Sequence, residues 1–309
     1  MTRNKRGKSI HGWLVIDKPK GITSFSVVYK VRRALKAKKV GHGGTLDPMA
    51  TGILPLAFGE ATKTIPYIFD GLKEYTFTIR WGQGRDTDDA DGAVTAVSIK
   101  RPGKDQITSI LPSFTGNIKQ VPPTYSAVKV DGRRAYDLAR CNQVTKLKEK
   151  SIFIKELELV EILDEDNARF RVVSGKGAYV RGLARDIAIA LGTRGHLVEL
   201  RRTRLGPFDE NSSISLDKLA KLGHTSAVEA LMKPVEVALD DIPAVTLTEE
   251  EARRLRCGQI VSVLEAIPQT SLRGLTAGSV VVAMAGGTPV GLARFESGGI
   301  RPFRILNMI

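Results

Sequence analysis

Asp47 is the single carboxylate in the glycine-rich segment Gly41-His42-Gly43-Gly44-Thr45-Leu46-Asp47-Pro48-Met49-Ala50-Thr51-Gly52. Upstream, Met1–Gly41 carries twelve Lys or Arg residues against one acid, Asp17. A carboxylate meant to bind a cation would not ordinarily sit beside so much positive charge. One that does chemistry on a polyanion fits better: the field holds the polymer and the carboxylate acts on one unit of it. A lone carboxylate can serve as a covalent nucleophile, as in glycosidases. It must then be ionised, and in a closed pocket that requires a cationic partner. Arg181 is a candidate partner, placed two positions after Tyr179 so that the two can share a strand face. The plainer alternative is that Arg181 caps the sheet. On pattern alone, Asp47-Pro48 reads more readily as a turn than as a nucleophile.

Other chemistries fit worse. Gly41–Thr45 lacks the Lys-Ser or Lys-Thr of a phosphate-binding P-loop and the spacing of a dinucleotide fingerprint. The four histidines, His11, His42, His196 and His224, are scattered and no pair has helical ligand spacing. No Gly-x-Ser-x-Gly elbow marks a hydrolase. Asp86–Gly92 superficially resembles a calcium loop, but Asp91 occupies its glycine position and Val97 its bidentate glutamate position. No metal is expected.

Gly12–Asp17 reads as a buried strand closed by the turn Lys18-Pro19-Lys20-Gly21. Thr23 or Ser24 can cap a following helix on which Val27, Val28, Val31, Ala34 and Leu35 recur at helical spacing. Its Lys30, Arg32, Arg33 and Lys36 suit a solvated face and a phosphate-facing one about equally. Tyr75, Phe77, Ile79 and Trp81 alternate with polar residues, the mark of a half-buried strand. Pro122–Ala127 is a stiff connector leading to a strand and then a basic helix around Arg133–Arg140. Ile152–Glu161 and Ala168–Ser174 alternate as strands. Gly175–Gly177 interrupts the second, Ala178–Val180 resumes it, and Arg181–Leu191 is a helix ended by Gly192. Thr108–Lys119 and Asn142–Lys150 are polar, poorly patterned and expected to be moving loops. Without a regular β-α-β repeat, the fold class is α+β with a mixed, largely antiparallel sheet. From Ala244 on, seven basic and five acidic residues accompany one short helix, Glu249–Leu255, and short strands such as Ser279–Ala283 and Gly291–Phe295. The domains expected are therefore a basic tail over 1–9, a catalytic unit over 10–243 and a small β-rich unit over 244–309.

The chain has 309 residues, a net charge of +14 and only 6% aromatic residues. Such charge favours nucleic acid as partner, and so few rings argue against a broad stacking platform. Cys141 and Cys257 lie 116 positions apart, which suits a reduced, cytoplasmic protein. The basic N-terminus has no apolar segment behind it and no run approaches the ~20 residues of a membrane span. No heptad or apolar stripe calls for an oligomer, so a monomer without an obligate protein partner or a membrane is expected.

The glycine-rich segment resembles the catalytic motif of the TruB family of tRNA pseudouridine synthases. Lys18-Pro19-Lys20-Gly21-Ile22-Thr23-Ser24, Gly59-Glu60-Ala61-Thr62-Lys63 and Lys73-Glu74-Tyr75 resemble further family motifs. So do Pro122-Pro123-x-Tyr125-Ser126-Ala127-x-Lys129-x-x-Gly132-x-Arg134-x-Tyr136, Lys176-Gly177-Ala178-Tyr179-Val180-Arg181 and Leu200-Arg201-Arg202. The motifs run in order from about residue 10 to 210. Ala188 departs from the glycine common in relatives, which bears on helix packing and not on chemistry. The C-terminal unit is similar, more weakly, to the PUA domains that grip tRNA.

The resemblance implies an isomerase acting on the T-loop uridine of the tRNA T-arm, without cofactor or metal. Asp47 would be the nucleophile, toward ribose or uracil, and both routes stay open. Tyr75 would stack on the uracil and help remove the final proton, and Arg181 would pair with Asp47. Tyr179 and Leu200 would line the pocket. His42 would fill the space vacated by the flipped base, whose extrusion costs a few kcal/mol. Gly43 and Gly44 would let RNA approach the backbone, and Lys18, Lys63 and Lys129 are phosphate or structural contacts. A second reading, a non-catalytic RNA-binding protein on the same scaffold, differs in leaving uridine unchanged.

Overall fold

The computed structural model describes residues 7–141, 143, 147–222, 226–262, 275–296 and 298–308. In chain order the first strands are β1 (Gly12–Lys18), β2 (Val40–His42), β3 (Thr51–Phe58), β4 (Lys73–Trp81), β5 (Gln83–Arg85), β6 (Val94–Val97) and β7 (Gly116–Gln120). There follow β8 (Lys129–Val130), β9 (Arg133–Arg134), β10 (Lys150–Ile162), β11 (Asn167–Ser174), β12 (Gly195–Leu205), β13 (Phe208–Asp209) and β14 (Ser213–Ser215). One ten-stranded sheet has the order β14-β1-β3-β12-β4-β11-β10-β7, with β13 on β12 and β2 on β3. Only β1 with β14 and β3 with β12 pair in parallel. The sheet is thus mixed and mostly antiparallel, as the absence of a β-α-β repeat predicts.

Both faces of β1 and β3 are covered, which explains the unbroken apolar run Trp13-Leu14-Val15-Ile16. Leu14 and Ile16 enter the main core with Val27 and Val31 of the helix Ser24–Ala34 and Leu183 and Ile187 of the helix Val180–Ala190. Trp13 and Val15 face the other way, into a cluster with Ile68, Phe208, Val235 and Leu306. Ala188 is buried against Gly195, where an added Cβ would come within 2.8 Å of the alanine methyl, so β12 accommodates the departure from glycine.

Gly52 marks the crossing of β3 and β12. Its φ is +98°, and an added Cβ would lie 2.2 Å from the Arg202 carbonyl oxygen. Gly52→Ala therefore meets backbone strain and overpacking together, a loss of about 3–5 kcal/mol that a urea titration reads as a lowered midpoint.

Two segments differ from the sequence expectation. Ala178–Val180 does not resume β11. Gly177, at φ +82°, turns the chain, and the Tyr179 N–H donates to the Gln120 side chain at 2.9 Å instead of to a strand. Tyr179 is the N-cap of the helix Val180–Ala190, so Arg181 lies in a first helical turn and the two-residue strand spacing does not apply. Thr108–Lys119 is not a loop either. It ends the helix Lys104–Ile110, continues through a 3₁₀ turn Leu111–Phe114 and enters β7. Ile107 and Leu111 anchor it in the core, with Ile110, Phe114 and Ile118 packed against that core. Within the other expected loop, Asn142 and Val144, Thr145 and Lys146 lie outside the described residues.

A second sheet, ordered β15-β17-β18-β19-β16, comprises β15 (Ala244–Thr246), β16 (Val261–Ser262), β17 (Val280–Ala285), β18 (Thr288–Glu296) and β19 (Gly299–Ile305). Thr248 and Glu251 cap the helix Glu249–Arg256 reciprocally, and its Ala252 and Leu255 pack into that sheet's own core. After β19 the chain returns: Leu306 is buried beside Trp13 and Phe208, and the Asn307 N–H donates to Glu60 at 2.8 Å. Among the described residues no helix is long and apolar enough to cross a membrane.

Candidate active site

The Asp47 loop is held from three sides. Ser24, at the start of its helix, accepts from the Leu46 N–H at 2.9 Å and donates to the Leu46 carbonyl at 3.0 Å. Lys18, at the end of β1, is wholly buried and donates to the carbonyls of Pro19, Ile22 and Pro48 at 3.0, 2.8 and 3.3 Å. Gly43 and Gly44 are buried as well. A Cβ on Gly43 would touch Ile68 and Trp13 at 3.3 Å, and one on Gly44 would meet Arg202 at 3.4 Å. Gly43 is closely packed within the protein and Gly44 holds a φ of +143° that disfavours any side chain, so both have structural reasons to be glycine beside the expected approach of RNA.

What emerges from the loop is the carboxylate. Arg181 donates from Nε to Asp47 Oδ2 at 2.8 Å, from Nη1 to the Thr87 carbonyl at 2.8 Å and from Nη2 to the Tyr125 carbonyl at 3.0 Å. Asp89 Oδ2 lies 3.6 Å from the same Nε. The pair is one-sided: the Asp47 side chain is 39% exposed and that of Arg181 only 7%. A guanidinium fixed by two carbonyls and a second carboxylate holds the first carboxylate in one orientation and leaves its other side open. The acidic loop Asp86–Gly92 thereby gains a purpose. It docks on the helix Val180–Ala190 through Arg181 and through Arg185, which donates to Asp88 Oδ2 at 2.7 Å. Burial raises the Asp88 pKa to about 6 against the pull of Arg185 and Arg181.

Tyr75 and Leu200 are buried on neighbouring strands, with Tyr75 paired to Arg202 and Phe77 to Leu200 in register. Arg202 is wholly enclosed, donates to the Ile53 carbonyl at 2.7 Å and the Gly44 carbonyl at 3.1 Å, and hydrogen-bonds the Tyr75 side chain. Arginine offers only donors, so the Tyr75 oxygen accepts. Arg202 thus joins Tyr75 to the glycine loop. His42 ends β2, half-buried, and burial followed by the Arg202 charge lowers its pKa. A neutral ring suits a residue that would take the place of an extruded base. Tyr179 is clamped by Gln120, which accepts from its N–H and donates to its carbonyl at 3.1 Å. Burial raises the Tyr179 pKa, and the Asp47 charge acts in the same direction.

Of the expected residues, Asp47 and Arg181 meet directly, Tyr75 and His42 are within reach of Arg202, Tyr179 lies within the field of Arg181 and Asp47, and Leu200 shares β12 with Arg202. Lys18 is closed to a substrate, and Lys63 is partly exposed but already engaged. The Lys18 ammonium is spent on three carbonyls, and Lys63 donates to Glu60 at 2.6 Å and to the Ile305 carbonyl at 2.7 Å, tying β19 to the first sheet's domain. Lys129 is exposed on the β8–β9 hairpin. Sequence reasoning missed Ser24, Asp89, Gln120 and Arg202 as site-forming residues. Arg202 left a signal as part of the motif Leu200-Arg201-Arg202. Among the described residues no group of three or more His, Cys, Asp or Glu side chains is placed to hold a metal ion.

Burial, aided by Arg202 and opposed by Asp47, lowers the Lys18 pKa from 10.5 to about 8. The folded value lies below the unfolded one. Between them the unfolded chain binds the proton and the folded chain does not, so this group makes stability rise with pH in that window. A reaction at Asp47 is expected to move the opposite way, because neutral Lys18 has one N–H fewer for the Pro48 carbonyl and no charge beside Asp47. The single-turnover rate is expected to fall as pH rises through about 8, and Lys18→Met to be slow and flat there. Lys73 has its pKa lowered to about 8 as well, but it donates to the Phe69 and Gly71 carbonyls, so Lys73→Met keeps the decline. A rate profile from about pH 7 to about 9.5 checks all three proteins.

Comparison with known proteins places this chain among relatives. A family model described as TruB family pseudouridylate synthase (N terminal domain) matches residues 32–180, and one described as tRNA pseudouridylate synthase B C-terminal domain matches residues 181–240. A Rhodospirillum rubrum protein named tRNA pseudouridine synthase B is 55% identical over 308 residues, covering 100% of both chains. A Caulobacter vibrioides protein of the same name is 45% identical over 309 residues, also covering 100% of both. Among solved structures, one titled as a Cbf5-Nop10-Gar1 complex aligns with a TM-score of 0.75 at 25% identity, covering 96% of this chain and 85% of that one. Neither family model reaches the second sheet, whereas both curated relatives span it.

Proposed function

The chain belongs to the TruB family of pseudouridine synthases, and from that premise we propose that it converts the T-loop uridine, position 55 of tRNA, with Asp47 as nucleophile. It is an isomerase that makes pseudouridine in tRNA. The observation that carries the finer reading is the one-sided ion pair, a carboxylate open to solvent against a buried guanidinium bonded at each of its three nitrogens. The flipped uridine enters on the open side. The bond from ribose C1′ to uracil N1 breaks, C1′ bonds to C5, the C5 proton leaves and N1 takes one up, so the product is an isomer and no cofactor is required. Tyr75 stacks on the base and assists removal of the C5 proton, its oxygen held by Arg202. Leu200 and Tyr179 line the pocket and His42 fills the stack behind the extruded base. Residues 10–243 form the catalytic unit and 244–309 a PUA-like unit that grips the tRNA elsewhere. The enzyme works as a cytoplasmic monomer.

Tritium release from a tRNA transcript labelled at uracil C5 tests the reading. About one tritium per tRNA is expected, and none when the T-loop uridine alone is replaced by cytidine. Release that survives that replacement would refute the assigned position, and binding without any release would favour the non-catalytic alternative.

A further inference from the structure

The helix Ser24–Ala34 buries Ser24, Val27 and Val31 and turns a second face outward. On that face Phe25 is 76% and Tyr29 54% exposed, and Arg33 stands 5.8 Å from the Tyr29 ring centre. At the helix C-terminus Gly7, Tyr29, Arg32, Arg33, Lys36 and Ala37 line a surface cavity of about 460 Å³. Lys36 adopts a left-handed φ of +47°, and its carbonyl accepts from the Lys8 N–H at 2.7 Å, which fixes the cavity wall. Arg32 spends only Nε, on the Ala37 carbonyl at 3.3 Å. Among the described residues no carboxylate lies within salt-bridge distance of Arg32, Arg33 or Lys36. The contrast with the sheet is plain: Arg169, Arg171 and Arg201 are each paired with acids there. Asp17, the single acid of the first 41 residues, is engaged bidentately by Arg201.

We propose that this face is a second RNA contact, where Arg32, Arg33 and Lys36 hold phosphates of the bound tRNA and Tyr29 stacks on one of its bases. The proposal rests on the reading of tRNA as substrate. Three exposed cations without acids fit a polyanion. An exposed ring with arginine over one face offers the other face to a base. The same helix is bonded at Ser24 to Leu46, so RNA seated on it is registered against the catalytic loop. At ~1.5 Å per residue, the cavity residues lie roughly 8–18 Å along the helix from Ser24. That spans about two to five nucleotides of a stacked strand at ~3.4 Å each.

The test compares wild type with Arg32→Gln/Arg33→Gln/Lys36→Gln and with Tyr29→Ala, all at exposed positions. The triple variant should bind tRNA at least about tenfold more weakly, with the slope of log affinity against log salt reduced by about 2–3. Tyr29→Ala should weaken binding about 5–100-fold with the slope unchanged. Single-turnover release at saturating enzyme should match wild type in both. Affinity and slope within twofold of wild type would overturn the proposal, and wild type co-sedimenting with phosphatidylserine vesicles while the triple variant does not would assign the face to a membrane. A wild type that binds tRNA without releasing tritium would instead refute the reaction and leave the slope comparison intact.

Discussion

Asp47→Asn is expected to abolish pseudouridine formation, lowering the single-turnover rate by at least about 10⁴-fold, while tRNA affinity stays within a few-fold of wild type. Asparagine keeps the size and one acceptor oxygen, so the Arg181 Nε at 2.8 Å retains a partner. What it loses is the negative charge that makes the group a nucleophile. The fold should tolerate the change, because Asp89 stands 3.6 Å from the same guanidinium and continues to offset its charge. A loss of about 1 kcal/mol, that of one charge-assisted hydrogen bond weakened to a neutral one, is therefore enough to allow for. Binding should not suffer either, since removing a negative charge from the site can only lessen its repulsion of the tRNA phosphates. Tritium release and filter binding on the same protein separate the two quantities. Turnover within tenfold of wild type would remove Asp47 from the chemistry.

Legibility of this site from sequence followed distance along the chain. The strand β4 was readable because Tyr75, Phe77, Ile79 and Trp81 alternate, and all four are buried. The cap of the helix Ser24–Ala34 was readable too, since Thr23 accepts from the Ser26 N–H three residues away. The second sheet announced itself by its change of composition. Contacts closing over ninety residues or more carried no periodic signal, and the pair Asp47–Arg181, across 134 positions, was legible only from the need for a cation and from the family motif. The Thr87 carbonyl receives Arg181 across 94 positions, and Gly44 receives Arg202 across 158. Lys18 illustrates the limit. A lysine in a motif beside a polyanion site looks like a phosphate ligand, and only the fold shows its ammonium bonded to three carbonyls and closed to solvent. Gly43 is similar, since its neighbours Trp13 and Ile68 come from both sides of the sequence. The acidic loop, rejected as a calcium site by its spacing, is a docking surface for two arginines one helical turn apart.

Arg181 carries the second large effect, and here stability and catalysis fall together. Arg181→Met removes a buried cation that serves Asp47, Asp89 and the carbonyls of Thr87 and Tyr125. Asp89, nearly as buried as Arg181 itself, is then left without its compensating charge, and two carbonyls lose their donors. Removing one partner of a buried pair costs about 3–5 kcal/mol, so the urea midpoint should drop sharply. Arg181→Lys separates this from the chemistry. An ammonium can reach one or two of the four acceptors but cannot reproduce the planar fork. It keeps a positive charge against Asp89, so most of the stability should return. The single-turnover rate should not, remaining about 10²–10³-fold below wild type because Asp47 is no longer held in one orientation. Affinity for tRNA should change little in the lysine variant, since Arg181 is closed to solvent and touches no phosphate. If Arg181→Lys restored rate and stability alike, the guanidinium would matter only as a charge, and the fork geometry would have no part in catalysis.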